Sequence, residues 1–146
     1  MDANAALARL RELAPRQGLS LGVMHSASPA DFALLMAAAG RAFAGMGTCS
    51  EREVNDRLRA WRAGPGAMVA VDHVELRRWL VDTGVLARDG YGRAYTPGTP
   101  RRAIADAMDL LAGHDLAALV RGARAEDDAR REARKAQWTK AAGGRA

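Results

Sequence analysis

Residues 72–96 read DHVELRRWLVDTGVLARDGYGRAYT, and in this stretch a helix start, a helix stop and a hairpin follow one another directly. Asp72 offers an N-cap acceptor, and Glu75 stands three positions later, as at many helix starts. Gly84 is placed to end that helix in the left-handed conformation. Short apolar stretches then flank a glycine-containing turn at 89–92, which predicts a β-hairpin.

A second helix is predicted immediately upstream, over residues 50–63. Ser50 and Glu53 have the spacing of a capping box, and the segment AGPG at 63–66 ends the helix. The apolar residues at helical spacing are Val54, Leu58 and Trp61. The order helix, turn, helix, hairpin is the outline of a winged helix-turn-helix, in which the hairpin is the wing.

Further helices are predicted on both sides of this segment. Upstream, apolar spacing predicts a helix over residues 2–14, and alternation over 17–25 indicates a short strand or an extended link. A Ser-Pro start predicts a helix over about 28–44. Downstream, one helix is predicted over 99–113, and a last, mostly polar helix begins near residue 115.

The predicted fold class is therefore mostly α with a small β-hairpin: a winged helix-turn-helix flanked by N- and C-terminal helices. We divide the chain into an N-terminal helix and linker (1–27) and a winged-helix domain with the helix that follows it (28–113). Residues 114–146 form a charged C-terminal helix, whose final residues 141–146 are expected to be frayed.

The charge is unevenly distributed along the 146 residues, of which 49% are hydrophobic and 27% charged. The formal net charge is +5, but +4 of it falls in residues 121–146 and leaves +1 for residues 1–120. Any attraction to nucleic-acid phosphate therefore depends on the tail or on local patches.

Composition also excludes several classes of protein. Cys49 is the only cysteine, so no intramolecular disulfide and no zinc site of the CxxC type can form. The apolar runs are shorter than the roughly 18 residues that span a bilayer, so no membrane association is expected. Charges within residues 1–16 interrupt the apolar core that a signal peptide needs, and we expect a cytoplasmic protein.

Two stretches resemble a known bacterial family. Residues 50–55 (SEREVN) and residues 72–88, followed by a glycine turn and Tyr95, are similar to the family called domain of unknown function 2087. The likeness covers about residues 30–97. It implies a winged-helix fold and a role among transcriptional regulators, and it implies no ligand, target or reaction.

The chain departs from the family pattern at three positions. Cys49 stands where the family tends to have an aromatic residue, Trp79 where it tends to have a polar one, and Thr83 where an aromatic is usual. The core near the helix predicted over residues 50–63 is therefore expected to be packed differently.

The candidate DNA contacts lie on the helix at 72–83 and on the hairpin. A winged helix inserts this helix into the major groove, where an arginine can bind guanine with two hydrogen bonds. A wing can place an arginine on phosphate or in the minor groove. The candidates are His73, Arg77 and Arg78 on the helix and Arg88, Tyr91 and Arg93 on the hairpin.

Each candidate also has a structural alternative. Arg77 and Arg78 point about 100° apart, so both can hardly read bases. The alternative is that one of them pairs with Asp82 or with a carboxylate such as Glu53 and locks two helices together. We expect Arg77 to be the more exposed and Arg78 the more structural. His73 fits better as a solvated or capping residue, and the hairpin arginines also fit as solvated cross-strand charges.

The C-terminal helix has three alternative interpretations: a basic helix on DNA, an arm that pairs two copies into a homodimer, or a solvated helix. Its small-residue stripe lacks the large a and d residues that stabilise coiled coils in water. The stripe consists of Ala125, Ala129, Ala133 and Ala136. Further phosphate contacts are assigned to Arg57, Arg59, Arg130, Arg131, Arg134 and Lys135.

No catalytic motif is found, and no catalytic residue, metal or cofactor is expected. The histidines occur singly, and Cys49 is interpreted as a small core residue, with a reactive thiol as the alternative. The predicted function is double-stranded DNA binding in transcription control, without catalysis. The alternative is a protein-interaction or dimerisation module that uses the same scaffold without DNA contact.

Overall fold

Seven α-helices, one 3-10 helix and three short strands make up residues 1–144, which are the residues that this computed structural model describes. In chain order they are α1 (Ala3–Leu13), α2 (Leu21–Ala27), α3 (Pro29–Gly40), the 3-10 helix (Arg41–Phe43), β1 (Cys49–Ser50), α4 (Glu51–Ala63), α5 (His73–Asp82), β2 (Leu86–Arg88), β3 (Ala94–Pro97), α6 (Arg102–Leu111) and α7 (Leu116–Gly143). The order from α3 to β3 is compatible with a winged helix-turn-helix flanked by further helices.

The two central helices begin at the predicted caps. The Ser50 hydroxyl accepts a hydrogen bond from the Glu53 amide, and the Glu53 carboxylate accepts one from the Ser50 amide, so the capping box of α4 is confirmed. The Asp72 carboxylate accepts a hydrogen bond of 2.8 Å from the Glu75 amide at the start of α5. Gly84 follows α5 with φ +83°, as the helix stop requires.

The hairpin of β2 and β3 is confirmed, and a third strand joins it that was not predicted. Cys49 pairs with Tyr95 and Ser50 with Ala94, so the antiparallel sheet has the order β1-β3-β2. A strand of two residues is too short to show an alternating pattern in the sequence. It can be recognised only by its pairing with a strand far along the chain. The prediction of a mostly α-helical fold with a small β-hairpin is confirmed.

The segment predicted as a strand or extended link contains α2. The Ser20 hydroxyl caps this helix by accepting a hydrogen bond from the Val23 amide, and Leu21 and Met24 are buried one turn apart. Val23 is 64% exposed, so the alternation through it does not mark a buried face. Only Leu19 forms an isolated bridge, with Val69.

Two helix starts and one helix end also differ from the prediction. α3 ends at Gly40, and the Ser28 side chain makes no hydrogen bond at its N-cap. The next turn is a 3-10 helix, so the predicted continuation to about residue 44 is wrong. α6 begins at Arg102, later than the predicted start at residue 99, and it has no side-chain cap.

The C-terminal helix is longer than predicted. α7 begins after the predicted cap Asp115, whose carboxylate accepts a hydrogen bond of 3.0 Å from the Ala118 amide. It continues to Gly143 and so includes residues 141–143, for which fraying remains a prediction. The same prediction for residues 145–146 lies outside the described residues.

Arg124 fastens α7 to two other helices. Its Nε donates a hydrogen bond of 3.0 Å to the carbonyl oxygen of Ala14, and its Nη1 donates one of 2.8 Å to that of Gly64. These residues are the C-caps of α1 and α4, where unpaired carbonyls carry partial negative charge. The Arg124 guanidinium, which has no carboxylate partner in the described part of the chain, is therefore stabilised by two helix ends.

The buried side chains form one hydrophobic cluster that runs through all three predicted parts of the chain. It includes Leu10 of α1, Leu35 of α3, Leu80 of α5 and Val120 of α7. Within residues 1–144, no helix combines the length and apolar character that crossing a bilayer demands.

Candidate functional site

A cavity of about 200 Å³ lies between α5 and the hairpin of β2 and β3. It is lined by Val74, Arg77, Arg78, Val81, Asp82, Arg88 and Tyr95. Three of these seven residues are arginines that belong to two different elements. The structure therefore brings together three of the predicted contact residues, and we call this place the arginine cleft.

Arg77 is the structural member of the cleft. Its Nη1 donates a hydrogen bond to Oδ1 of Asn55, and its Nη2 lies 3.3 Å from Oε1 of Glu51. Only 18% of the Arg77 side chain is exposed, against 49% for Glu51. Arg77 therefore locks α5 to α4, with Glu51 in the place that the sequence suggested for Glu53.

Arg78 is exposed. The sequence predicted the reverse, with Arg77 the more exposed residue and Arg78 the structural one. Leu76 and Leu80 are completely buried in the core, and Arg77 turns toward α4, so Arg78 faces solvent. Among residues 1–144, neither Arg78 nor Arg88 has a hydrogen-bond or ion-pair partner within the protein. Two cationic side chains from α5 and β2 thus border one cleft without a bonded counter-charge.

The floor of the cleft is fixed by Tyr95. This side chain is 1% exposed, and its hydroxyl donates a long hydrogen bond of 3.5 Å to Oε1 of Glu51. Glu51 therefore lies close to both Arg77 and Tyr95, which couples the start of α4 to α5 and β3. The three arginines of the cleft therefore belong to a helix and a strand that are packed together, and not to a loop.

The hairpin tip projects Tyr91 and Arg93 into solvent, and 86% of Tyr91 is exposed. The Asp89 carboxylate shapes this turn by accepting hydrogen bonds from the amides of Arg93 (2.9 Å) and Tyr91 (3.1 Å). The bond from the Arg93 amide is the main reason that the pKa of Asp89 lies below its ordinary value. Asp89 is therefore ionised at neutral pH and holds the tip in one conformation.

The remaining candidates near α4 and α5 are engaged in local contacts. Nε2 of His73 lies 3.3 Å from Nη2 of Arg59, and Arg59 also lies 3.4 Å from Asp56. Arg57 donates a hydrogen bond of 2.8 Å to the carbonyl oxygen of Ala42 in the 3-10 helix. These contacts leave Arg57 and Arg59 less available for phosphate than Arg78 and Arg88.

The basic residues of the tail are far from the cleft along the chain and lie on exposed turns of α7. Oδ1 of Asp127 lies 3.5 Å from Nη2 of Arg130, and Oδ2 of Asp127 lies 3.0 Å from Nε of Arg131, so both arginines pair within α7. Arg134 and Lys135 are exposed. The tail cations therefore form a surface of their own.

Sequence reasoning missed how mixed the charge around the cleft is. The exposed residues of α5 are Val74, Glu75, Arg78 and Asp82. Two carboxylates thus accompany one guanidinium on this helix, and the basic character comes only from the addition of Arg88 and Arg93. Glu75 and Asp82 could be read from the sequence. That they share the exposed face of α5 with Arg78 depended on which side of the helix packs against the core.

The family departures are explained by packing. Trp79 packs against Phe32 and His25, with ring centroids 5.2 Å and 5.3 Å away, so an aromatic contact joins α5 to α3 and α2. Thr83 is buried, and its hydroxyl donates a 2.7 Å hydrogen bond to the carbonyl oxygen of Trp79. Cys49 is a buried core residue whose sulfur lies 3.8 Å from that of Met46. No cluster of three or more metal-ligating side chains occurs among the described residues.

The comparisons with known proteins support the family resemblance and add no function. The model of a family described as "Uncharacterized protein conserved in bacteria (DUF2087)" matches residues 26–96. This range contains α3 to α5 and nearly all of the hairpin, and therefore the whole arginine cleft. No curated protein and no solved structure matches the chain.

Proposed function

We propose that this chain is a winged-helix protein that binds double-stranded DNA in the cytoplasm and acts in transcription control, without catalysis. The observation that carries the proposal is the pair Arg78 and Arg88, which border one cleft from α5 and the hairpin and have no bonded counter-charge among residues 1–144. Like charges held together in this way favour an anion between them, and the DNA backbone supplies phosphates in a row.

The proposed roles differ from residue to residue. Arg78 lies on the exposed face of the second helix of the pair, where it reaches a base edge or a phosphate in the major groove. Arg88 contacts phosphate, while Tyr91 and Arg93 at the hairpin tip contact the backbone or the minor groove. Arg77 holds α5 in place and contacts no base. His73, bonded to Arg59, positions the start of α5.

Salt-dependent binding of fluorescently labelled duplex DNA tests this proposal. The wild type is compared with R78A/R88A on a pool of random duplexes at two salt concentrations. We expect the double variant to bind at least about tenfold more weakly, with a salt slope smaller by about two, since two phosphate contacts are lost. The matched control R52A/R102A removes two exposed arginines from α4 and α6 and should bind like the wild type.

Two results would contradict the proposal. One is an absence of salt-sensitive binding by the folded wild type at micromolar concentration. The other is equal affinity of R78A/R88A and the wild type, with urea unfolding showing that both are folded. Arg78 and Arg88 are exposed, so we expect the variant to keep its fold.

A protein-interaction module is the second candidate, and the exposed face of α5 favours it. Glu75 and Asp82 flank Arg78 there, and Val74 is 40% exposed, which is unusual for a surface that faces phosphate. Such a module would leave duplex DNA unbound at both salt concentrations. The binding experiment therefore separates the two candidates.

A further inference from the structure

The outer part of α7 has a face that combines basic side chains with an aromatic ring. Between residues 125 and 143, here called the arm, all residues but one are exposed. At about 100° per residue, Trp138 points in the same direction from the helix axis as Val120, which is buried in the core. The basic residues within about 60° of that direction are Arg131, Arg134 and Lys135. We call these three residues and Trp138 the basic-aromatic face.

The same side of α7 is apolar where the helix packs on the domain. Leu116, Val120 and Ala123 are buried there. Beyond the domain this side becomes basic, because Glu132 points about 120° away from the direction of Val120. Lys140 points about 160° away, to the opposite side of the arm. The basic-aromatic face therefore continues the buried side of α7 into solvent with a different chemistry.

Two cations of this face are available to an anion. Oδ2 of Asp127 lies 3.0 Å from Nε of Arg131, so that arginine is already paired. The side chains of Arg134 and Lys135 have no hydrogen-bond or ion-pair partner within residues 1–144. Two neighbouring positive charges attract an anion that lies between them.

Trp138 gives the face an exposed aromatic ring. It is 77% exposed, and it is the only large apolar residue of the arm. Arg134 and Lys135 precede it by four and three residues, so their Cβ atoms lie about 5 to 6 Å from that of Trp138. A nucleotide carries a flat base and a phosphate side by side, and it can meet the indole and a cation together.

We propose that the basic-aromatic face binds single-stranded nucleic acid, with Arg134 and Lys135 on phosphates and the indole of Trp138 stacked on an unpaired base. The helix rises about 10 Å from Arg131 to Trp138, which is about three nucleotides at 3.4 Å each. The carboxylates at 126–128 repel phosphate and keep the strand on the outer part of the arm. Every base has a flat face, so the site tolerates different sequences.

Single strands fit this face better than other anionic partners do. In a duplex the bases are stacked on one another, which leaves no base face for the indole, whereas unpaired bases stack readily on aromatic side chains. A membrane surface requires a broad apolar face, and the arm has one large apolar side chain. An acidic peptide supplies carboxylates without a base beside each charge. The site is separate from the arginine cleft and does not depend on the proposed function.

Fluorescence anisotropy with labelled oligonucleotides tests the proposal on the full chain. Oligo-dT and oligo-U of about 12 nucleotides distinguish DNA from RNA, and binding of either one supports the proposal. We expect W138A to bind them about five- to a hundredfold more weakly than the wild type, because the stacked base is lost. W138F keeps an aromatic ring and should recover most of the affinity.

A matched pair of charge variants tests the phosphate contacts. R134A and K140A each remove one exposed cation, from opposite sides of the arm. We expect R134A to bind about three- to tenfold more weakly, with a salt slope smaller by about 0.7, and K140A to bind like the wild type. Circular dichroism and urea unfolding check that every variant is folded.

The proposal is overturned if the folded wild type binds neither single strand at micromolar concentration, or if W138A binds as well as the wild type. Equal weakening by R134A and K140A would also overturn it. The same assays with a duplex, with polyglutamate and with vesicles of phosphatidylcholine and phosphatidylserine identify another partner. Binding to one of these that depends on Trp138, without such binding to single strands, would assign the face to that partner and overturn the proposal. Because the oligonucleotides form no duplex, a failure here leaves the arginine-cleft proposal standing.

Discussion

Two arginine side chains in this protein bind the backbone carbonyl groups at the C-terminal ends of helices. Arg124 donates hydrogen bonds to the C-cap carbonyls of α1 and α4. Arg41 donates one of 2.7 Å to the carbonyl oxygen of Leu111, the last residue of α6, and one of 2.8 Å to that of His114 beyond it. A cation at a helix C-terminus is stabilised by the unpaired carbonyls there. Part of the positive charge is therefore structural, and the net charge overstates what is available for phosphate.

The neighbours Arg77 and Arg78 differ in exposure, and their replacement by alanine should differ accordingly. R77A removes the partner of Asn55 and Glu51, so we expect the free energy of unfolding to fall by about 1 to 3 kcal/mol. R78A removes a side chain without a bonded partner and should change stability by less than about 0.5 kcal/mol. Urea unfolding of both variants measures the difference. Equal losses would show that Arg77 does not lock α5 to α4.

At the scale of elements, the position of the hairpin relative to α5 depends on a close approach of two backbones. A Cβ on Gly84 would lie 2.2 Å from the carbonyl oxygen of Thr99, and one on Gly98 would lie 2.3 Å from that of Gly84. No side chain fits at these distances. The turn after α5 therefore packs against the backbone that follows β3.

The matched pair G84A and G90A tests this contact. Gly84 has φ +83° and backbone within 3 Å of an added Cβ, so we expect G84A to destabilise the fold by more than about 2 kcal/mol. Gly90 lies in the same region with nothing within 4 Å and without a positive φ, so G90A should be neutral or slightly stabilising. Thermal unfolding compares them, and similar melting temperatures would refute the close approach.

At the scale of the whole molecule, an ion pair joins the N-terminal helix to the segment that matches the family. Arg9 of α1 donates from Nε (2.9 Å) and Nη2 (2.8 Å) to the two carboxylate oxygens of Asp31 in α3. The Asp31 side chain is only 16% exposed. The hydrogen bonds from Arg9 hold the pKa of Asp31 below its ordinary value.

The lowered pKa makes the contribution of this pair depend on pH. The folded state stabilises the ionised form of Asp31 relative to the unfolded chain. The contribution of the Arg9–Asp31 pair to stability is therefore complete above the unfolded pKa of about 3.9. It is lost as the pH falls through the lower folded value. We expect D31N to unfold more easily than the wild type by about 1 to 2 kcal/mol at neutral pH and the difference to vanish in strong acid.

Unfolding in urea across the acid range measures that difference. D106N is the control, because Asp106 meets the 93% exposed Arg102 at 3.6 Å and contributes little at any pH. A difference between the wild type and D31N that stays constant from neutral pH to strong acid would be incompatible with a carboxylate pair at this position.

Caps and stops were readable from the sequence because each depends on residues within a few positions of one another. Ser50 with Glu53, Asp72 with Glu75, and Gly84 satisfy backbone groups of their own helix end, so their chemistry is local. The hairpin and the mostly α-helical fold follow from the same kind of signal. The sequence also singled out Arg77, Arg78 and Arg88, which the fold then gathered at one cleft.

The exchange of roles between Arg77 and Arg78 was decided by tertiary structure alone. The partner of Arg77, Asn55, lies 22 residues away, and only the packing of α5 on α4 shows which of two adjacent side chains turns toward it. β1 exists only because Cys49 meets Tyr95, and α2 is recognisable by what it buries. Contacts of this kind depend on the relative positions of whole elements, and local backbone preferences do not determine those positions.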